Sequence, residues 1–203
     1  RASDALKDVN NPLQILVVAQ VFAANGAMQD AAQWGETALT KAVTNPSDRA
    51  TANSFLGRVH LKQQNYEKAR QHFEAVLRDN PSDMVASNNL AWVLSNDLGQ
   101  PDAAVQVIED VIQRNNLEIQ QLPVEFIDTM VVVYRNAGQK QAAIDVLKQA
   151  LQKYSSNATL LYHLGLLLVD DQPAKAKDLL SQAVRLGLSK KDETEAKRQL
   201  ARL

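Results

Sequence analysis

The 203-residue chain has no cysteine, which excludes disulfide frameworks, thiolate nucleophiles and cysteine-based zinc sites. Its seven glycines are scattered and build neither a phosphate-binding loop, a dinucleotide fingerprint nor a Gly-x-Ser-x-Gly elbow. An excess of one charge is also missing. Lys plus Arg is 22 against 23 for Asp plus Glu, a formal charge of -1, so no overall field attracts nucleic acid. The longest apolar stretches, Leu16 to Ala24 and Ala158 to Val169, are shorter than the roughly 18 to 20 residues of a membrane-spanning helix. Direct membrane insertion is not expected. His60, His72 and His163 lack the spacing of a metal pair on one helix, and no His-Glu-x-x-His occurs. Packing or solvent-facing roles are therefore assigned to them. Acidic residues stand singly on polar faces, with Glu67/Arg70, Asp145/Lys148 and Glu193/Lys197 spaced to pair along a helix. No catalytic, cofactor-binding or metal-binding residue is expected, and the chain reads as a non-enzyme.

What is present is a repeat. Aligning Phe55-Leu56-Gly57 with Asn89-Leu90-Ala91, Thr129-Met130-Val131 and His163-Leu164-Gly165 gives steps of 34, 40 and 34 residues, and Val18-Ala19 extends the series upstream by 38. Each string is followed by a turn: Asn25-Gly26, Gln64-Asn65, Leu98 to Pro101, Ala137-Gly138 and Asp171 to Pro173. A second apolar stripe at helical spacing comes next, as in Ala69, Phe73, Val76 and Leu77, or Ala176, Leu180, Ala183 and Val184. The unit is thus a helix pair, with small residues such as Gly57, Ala69, Ala91, Ala104 and Gly165 where two backbones approach. Asn-Pro-Ser-Asp at 45–48 and again at 80–83 marks boundaries. Pro cannot continue the preceding helix, and Ser or Asp can cap the next. Asn157-Ala158-Thr159 is formally a glycosylation acceptor, but a cap is the reading preferred here.

These features resemble the tetratricopeptide repeat family, whose 34-residue unit carries a Leu-Gly-like pair, an Ala and aromatic pattern and a closing Pro. Residues 50–81 match through Leu56, Gly57, Tyr66, Ala69, Phe73 and Pro81, with His60 where a large apolar or Tyr side chain is usual. The unit from Met84 has one extra residue in its Ser95 to Pro101 turn. In the first unit Gly35 stands where a large side chain is expected, a space that Trp34 is expected to fill. The resemblance implies an all-α right-handed superhelix of about five helix pairs plus a C-terminal capping helix. Its parts are the tail of a preceding repeat or helix at 1–11, an array at 12–188 (12–46, 50–83, 84–121, 124–157, 158–188), and the cap at 189–203. The opening segment, without Met, reads as the interior of a longer chain. The strings Asn88 to Trp92, Asp128-Thr129 and Tyr162 to Gly165 also resemble C-terminal arrays of bacterial proteins associated with the envelope and with exopolysaccharide.

In the resembled family the first helix of each pair lines a concave groove, and helical periodicity then selects its residues here. These are Thr51, Ser54, Arg58 and Lys62; Asn88, Trp92, Ser95 and Asn96; and Glu125, Asp128, Val132, Arg135 and Asn136. Leu13, Leu16 and Gln20 precede them, and Tyr162, Leu166 and Asp170 follow. The mixture of basic, aromatic, amide and acidic groups suits a protein or peptide better than a sugar polymer or nucleic acid. Trp92 is the expected anchor, Asn88, Asn96 and Asn136 the backbone-binding amides, and Arg58 and Lys62 the partners of a carboxylate. The family's chaperone-tail carboxylate clamp is not expected, because Leu16, Gln20, Glu125 and Thr129 occupy its places. The function implied is a non-enzymatic protein-interaction scaffold. The alternatives are a region of a larger bacterial envelope or exopolysaccharide assembly or export protein, and a self-associating array. The compartment stays open between bacterial periplasm or envelope and cytoplasm.

Overall fold

The computed structural model describes residues 10–203; the first nine residues of the segment 1–11, read above as a helix tail, lie outside the described residues. Among the described residues there are eleven α-helices and no strand. They are α1 (Pro12–Ala24), α2 (Met28–Lys41), α3 (Pro46–Lys62), α4 (Tyr66–Asp79), α5 (Met84–Trp92), α6 (Pro101–Asn115), α7 (Val124–Asn136), α8 (Lys140–Lys153), α9 (Ala158–Leu168), α10 (Pro173–Leu186) and α11 (Lys190–Leu200). Contacts divide the chain into two compact units, 1–115 and 116–203. Within each, a helix packs mainly on its neighbours in sequence, the pattern of a solenoid.

The first unit is built around Ile15, Leu16 and Ala19 of α1, Ala31 and Ala38 of α2, and Ala52, Phe55, Leu56 and Val59 of α3. Phe73 of α4 is fully buried, and its ring fills the space over Gly57. A Cβ on Gly57 would lie 2.6 Å from Phe73 Cε1. Gly35 obeys the same rule, with Leu56 Cδ2 2.7 Å from its ideal Cβ position and Phe55 close behind. Leu56 and Phe55 of α3 thus occupy the space beside Gly35, and Trp34 is half-buried and packs against the same cluster.

Helix starts follow from local chemistry. The two Asn-Pro-Ser-Asp strings act differently. At 45–48, Asn45 caps α3, its Oδ1 accepting from the Ser47 and Asp48 amides, and Pro46 is the first helical residue. At 80–83, Asp83 is the cap, Oδ1 accepting from the Ala86 amide at 2.9 Å. Asn80 there directly follows the end of α4, whereas α2 stops at Lys41 and leaves Asn45 clear of it. Asn157 caps α9 through the Leu160 amide at 3.0 Å. The extra residue of the third repeat is absorbed inside the helix, because Val93–Asp97 forms a π turn with Leu98 N–H donating to Val93 O at 3.0 Å.

Arg49 ties three segments together. Its guanidinium grips Asp79, Nε to Oδ2 at 2.8 Å and Nη2 to Oδ1 at 2.6 Å, while Nη1 donates to Val43 O at 2.8 Å. The second unit repeats the packing logic with Leu161 and Tyr162 of α9, Leu180 and Ala183 of α10 and Ala196 of α11. Leu200 and Leu203 lie against them. The three helix-surface ion pairs expected from spacing form.

Gly57→Ala is expected to lower stability by about 1–2 kcal/mol, since overpacking against a rigid buried ring outweighs the better helix propensity of Ala. Gly35→Ala should cost less, because a Leu methyl can move aside; equal melting temperatures for the two variants would contradict this. The Arg49 guanidinium holds the Asp79 carboxyl below its ordinary value of 3.8. Its stabilisation is then fully present above that value and lost as pH falls through the lower, folded one. Arg49→Ala should reduce the melting temperature at pH 7 and flatten its decline below pH 4 in a thermal-denaturation series.

Candidate functional site

The first unit contains two adjoining hollows on the side of α3 that the repeat pattern selects. One, of ≈ 360 Å³, lies between α1 and α3 and is lined by Gln20, Ala23, Phe55, Arg58, Val59 and Lys62. The other, of ≈ 480 Å³, opens towards the α4–α5 turn, with Thr51, Ser54 and Arg58 on one wall and Asp79, Asn80 and Asp83 on the other. Arg58 borders both. The spacing of Thr51, Ser54, Arg58 and Lys62 along one face of α3 therefore brings these four residues onto one continuous surface.

The polar groups of the larger hollow are mostly engaged within the chain. Asp79 is held by Arg49 and Asp83 caps α5, while Thr51 Oγ1 donates to Ser47 O at 2.8 Å. Arg58 and Lys62 differ: both are exposed, and among the described residues neither forms an ion pair. Two exposed cations thus border a cleft lined by the apolar side chains of Ala23, Phe55 and Val59.

On α5, Trp92 is 38% exposed. Asn96 donates its Nδ2 to Trp92 O at 3.4 Å, and Asn88 is half-buried with Oδ1 shielded from solvent. In the second unit Arg135 and Asn136 are exposed near the end of α7. Asp128 is half-buried, and its Oδ1 lies 2.9 Å from His163 Nε2. Its carboxylate is thus engaged by α9. Leu16, Ser95, Val132 and Tyr162, expected along the groove, are buried at 2%, 6%, 6% and 6% exposure and belong to the core. The reason is periodicity: a helix packed on both flanks has a buried stripe wide enough to take in one or two positions beside its Leu-Gly row.

One grouping cannot be found from spacing on a single helix. His60 of α3 and His72 of α4 stack with ring centroids 5.3 Å apart, and Glu36 of α2 joins them. The signal available in the sequence was the departure at His60 from the family's usual large apolar or Tyr residue.

The sequence profile of the family described as tetratricopeptide repeat matches residues 56–119 and 129–187. No curated protein sequence matches the chain. Among solved structures it is similar to YrrB, described as a TPR protein with an unusual peptide-binding site, at 19% identity and TM-score 0.71, covering 97% of both chains. A MamA fragment from Desulfovibrio magneticus RS-1 aligns at 18% identity and TM-score 0.72, covering 86% of this chain and 94% of that one. PilW, a type IV pilus biogenesis factor, aligns at 16% identity and TM-score 0.74, covering 94% and 86%. At these identities the likeness is one of fold.

His163 Nδ1 is buried without a hydrogen-bond partner, so the bond between Nε2 and Asp128 is the ring's one hydrogen bond among the described residues. Asp128→Ala is expected to destabilise the protein by about 1–3 kcal/mol by orphaning the imidazole. Asp128→Asn keeps an acceptor oxygen and should recover much of that loss in denaturant titration.

Proposed function

The chain belongs to the tetratricopeptide repeat family, and from that premise we propose that it is a non-enzymatic scaffold that binds a peptide segment of a partner protein along the α3 face of its first unit. The observation that carries this reading is the pair Arg58 and Lys62, two exposed cations that form no ion pair among the described residues, beside an apolar cleft. An acidic side chain or a terminal carboxylate answers the cations, and an adjacent apolar side chain enters between α1 and α3. Thr51 and Ser54 offer hydroxyls beside it, and Trp92 extends the surface with an aromatic face. Asn88 and Asn96 belong to the same proposal, the shielding of Asn88 Oδ1 making it the weaker contributor; in the second unit Asp128, Arg135 and Asn136 of α7 are proposed as partner-contacting residues of that unit's own first helix, with Asp128 weakened by its engagement with His163. The peptide-binding description of YrrB, a protein of the same fold, supports a peptide as the class of partner.

A second reading places the array within a larger bacterial envelope or exopolysaccharide assembly. It is supported by the strings Asn88 to Trp92 and Tyr162 to Gly165, and by the fold shared with a pilus biogenesis factor. A third, self-association, predicts a mass that rises with concentration in light scattering.

The test compares the parent with Arg58→Glu and with Arg58→Glu/Trp92→Ala, after circular dichroism has shown equal helicity. Charge reversal at Arg58, exposed and without an ion pair among the described residues, should preserve the fold. It should weaken a captured partner, or an acidic-apolar peptide derived from it, by about tenfold or more, with the parent's affinity falling as salt rises. Equal binding by parent and variants would remove the α3 face from the function.

A further inference from the structure

We propose that Glu36, His60 and His72 form a binding site for one divalent transition-metal ion of the zinc class, joining α2, α3 and α4. The three side chains come from three consecutive helices, and one ligand atom from each lies within 4.8 Å of the others. His72 Nε2 stands 3.7 Å from Glu36 Oε1.

The hydrogen bonds of the two rings prepare them as ligands. His72 Nδ1 lies 2.9 Å from Asn53 Oδ1, and the orientation of that amide is fixed because Asn53 Nδ2 donates to Arg49 O at 3.0 Å. An amide oxygen only accepts, so His72 carries its proton on Nδ1 and turns the lone pair of Nε2 towards Glu36. A lone pair facing a carboxylate is an arrangement that a cation between them relieves. His60 Nδ1 lies 3.0 Å from Gln63 Oε1, and with that oxygen accepting, its Nε2 carries the lone pair. An acceptor behind the ring, as Asn53 is for His72, is the usual support of a metal-binding histidine.

Two imidazoles and a carboxylate suit Zn²⁺ or its neighbours and not Mg²⁺ or Ca²⁺, which prefer all-oxygen sites. Glu36 has a 55% exposed side chain, giving an entry path and leaving a further coordination position to water. Lys68, exposed nearby, is the one opposing charge evident at the site. The rings lie nearly parallel, at 8°, so two Nε2 atoms cannot meet one ion in that pose. Binding exchanges the stack for coordination through rotation of one ring, with exposed Gln63 able to follow His60.

The experiment titrates chelator-stripped protein with Zn²⁺ alone at pH 7.5 by calorimetry, and follows the His ring protons by NMR. One equivalent should bind, raise the melting temperature, and shift the ring signals of His60 and His72 while leaving His163 in place. Glu36→Gln, an exposed and isosteric change, should weaken binding about tenfold or more while preserving the fold. His72→Asn should abolish it, and His163→Gln should leave it unchanged. Absence of uptake, uptake unaltered in Glu36→Gln, or ring shifts confined to His163 would each overturn the site; the NMR readout on the parent decides even where a histidine variant unfolds.

Discussion

The packing of this protein depends on how closely two helices of a pair can approach, and in the α3/α4 and α9/α10 pairs that distance is set where a glycine meets a large side chain. Phe73 lies over Gly57 and Leu180 over Gly165, with ideal Cβ positions 2.6 and 2.8 Å from the facing side chain. The alanines of the second helices, Ala69 and Ala176, are fully buried and complete the narrow seam. Close approach brings the flanking apolar rows into contact, and the apolar area removed from water there is the main source of stability. It also fixes which way each first helix faces. Thr51, Ser54, Arg58 and Lys62 share a surface because the opposite side of α3 is committed to α2 and α4.

Helix pairs were legible in the sequence because the seam demands small residues at a fixed phase, and that phase recurs. The turns were legible for a similar reason: Gly26, Gly99 and Gly138 adopt positive φ, which other residues reach with difficulty. Which residue caps a helix was not legible from a four-residue string, since Asn45 and Asp83 take the role at different places in the same string. That choice depends on where the preceding helix ends. Nor could an extra residue be assigned to a loop or to a helix interior, as the π turn at Val93–Asp97 shows.

The candidate site was legible in part. Helical phase picks out Arg58 and Lys62 because an exposed face needs only the periodicity of its own helix. It misplaced Leu16, Ser95, Val132 and Tyr162, whose burial depends on neighbours on both flanks. His60, His72 and Glu36 meet through three helices. No spacing rule within one helix reports such a meeting, and a polar ring at a position usually occupied by a large apolar side chain was the trace it left in the sequence. A binding face and a buried polar cluster can thus occupy opposite flanks of α3 without competing for the same residues.

The π turn at the end of α5 has a consequence for how such a chain tolerates changes in length. A residue added to an ordinary helix rotates everything beyond it by about 100°, which would swing the next stripe out of its seam. Here the surplus is taken up between Val93 and Leu98, and α6 still presents Ala104, Ile108 and Val111 to the core. The helix end acts as an expansion joint. The one extra residue is absorbed before the chain turns, so this repeat is longer while α6 keeps its alignment with the core.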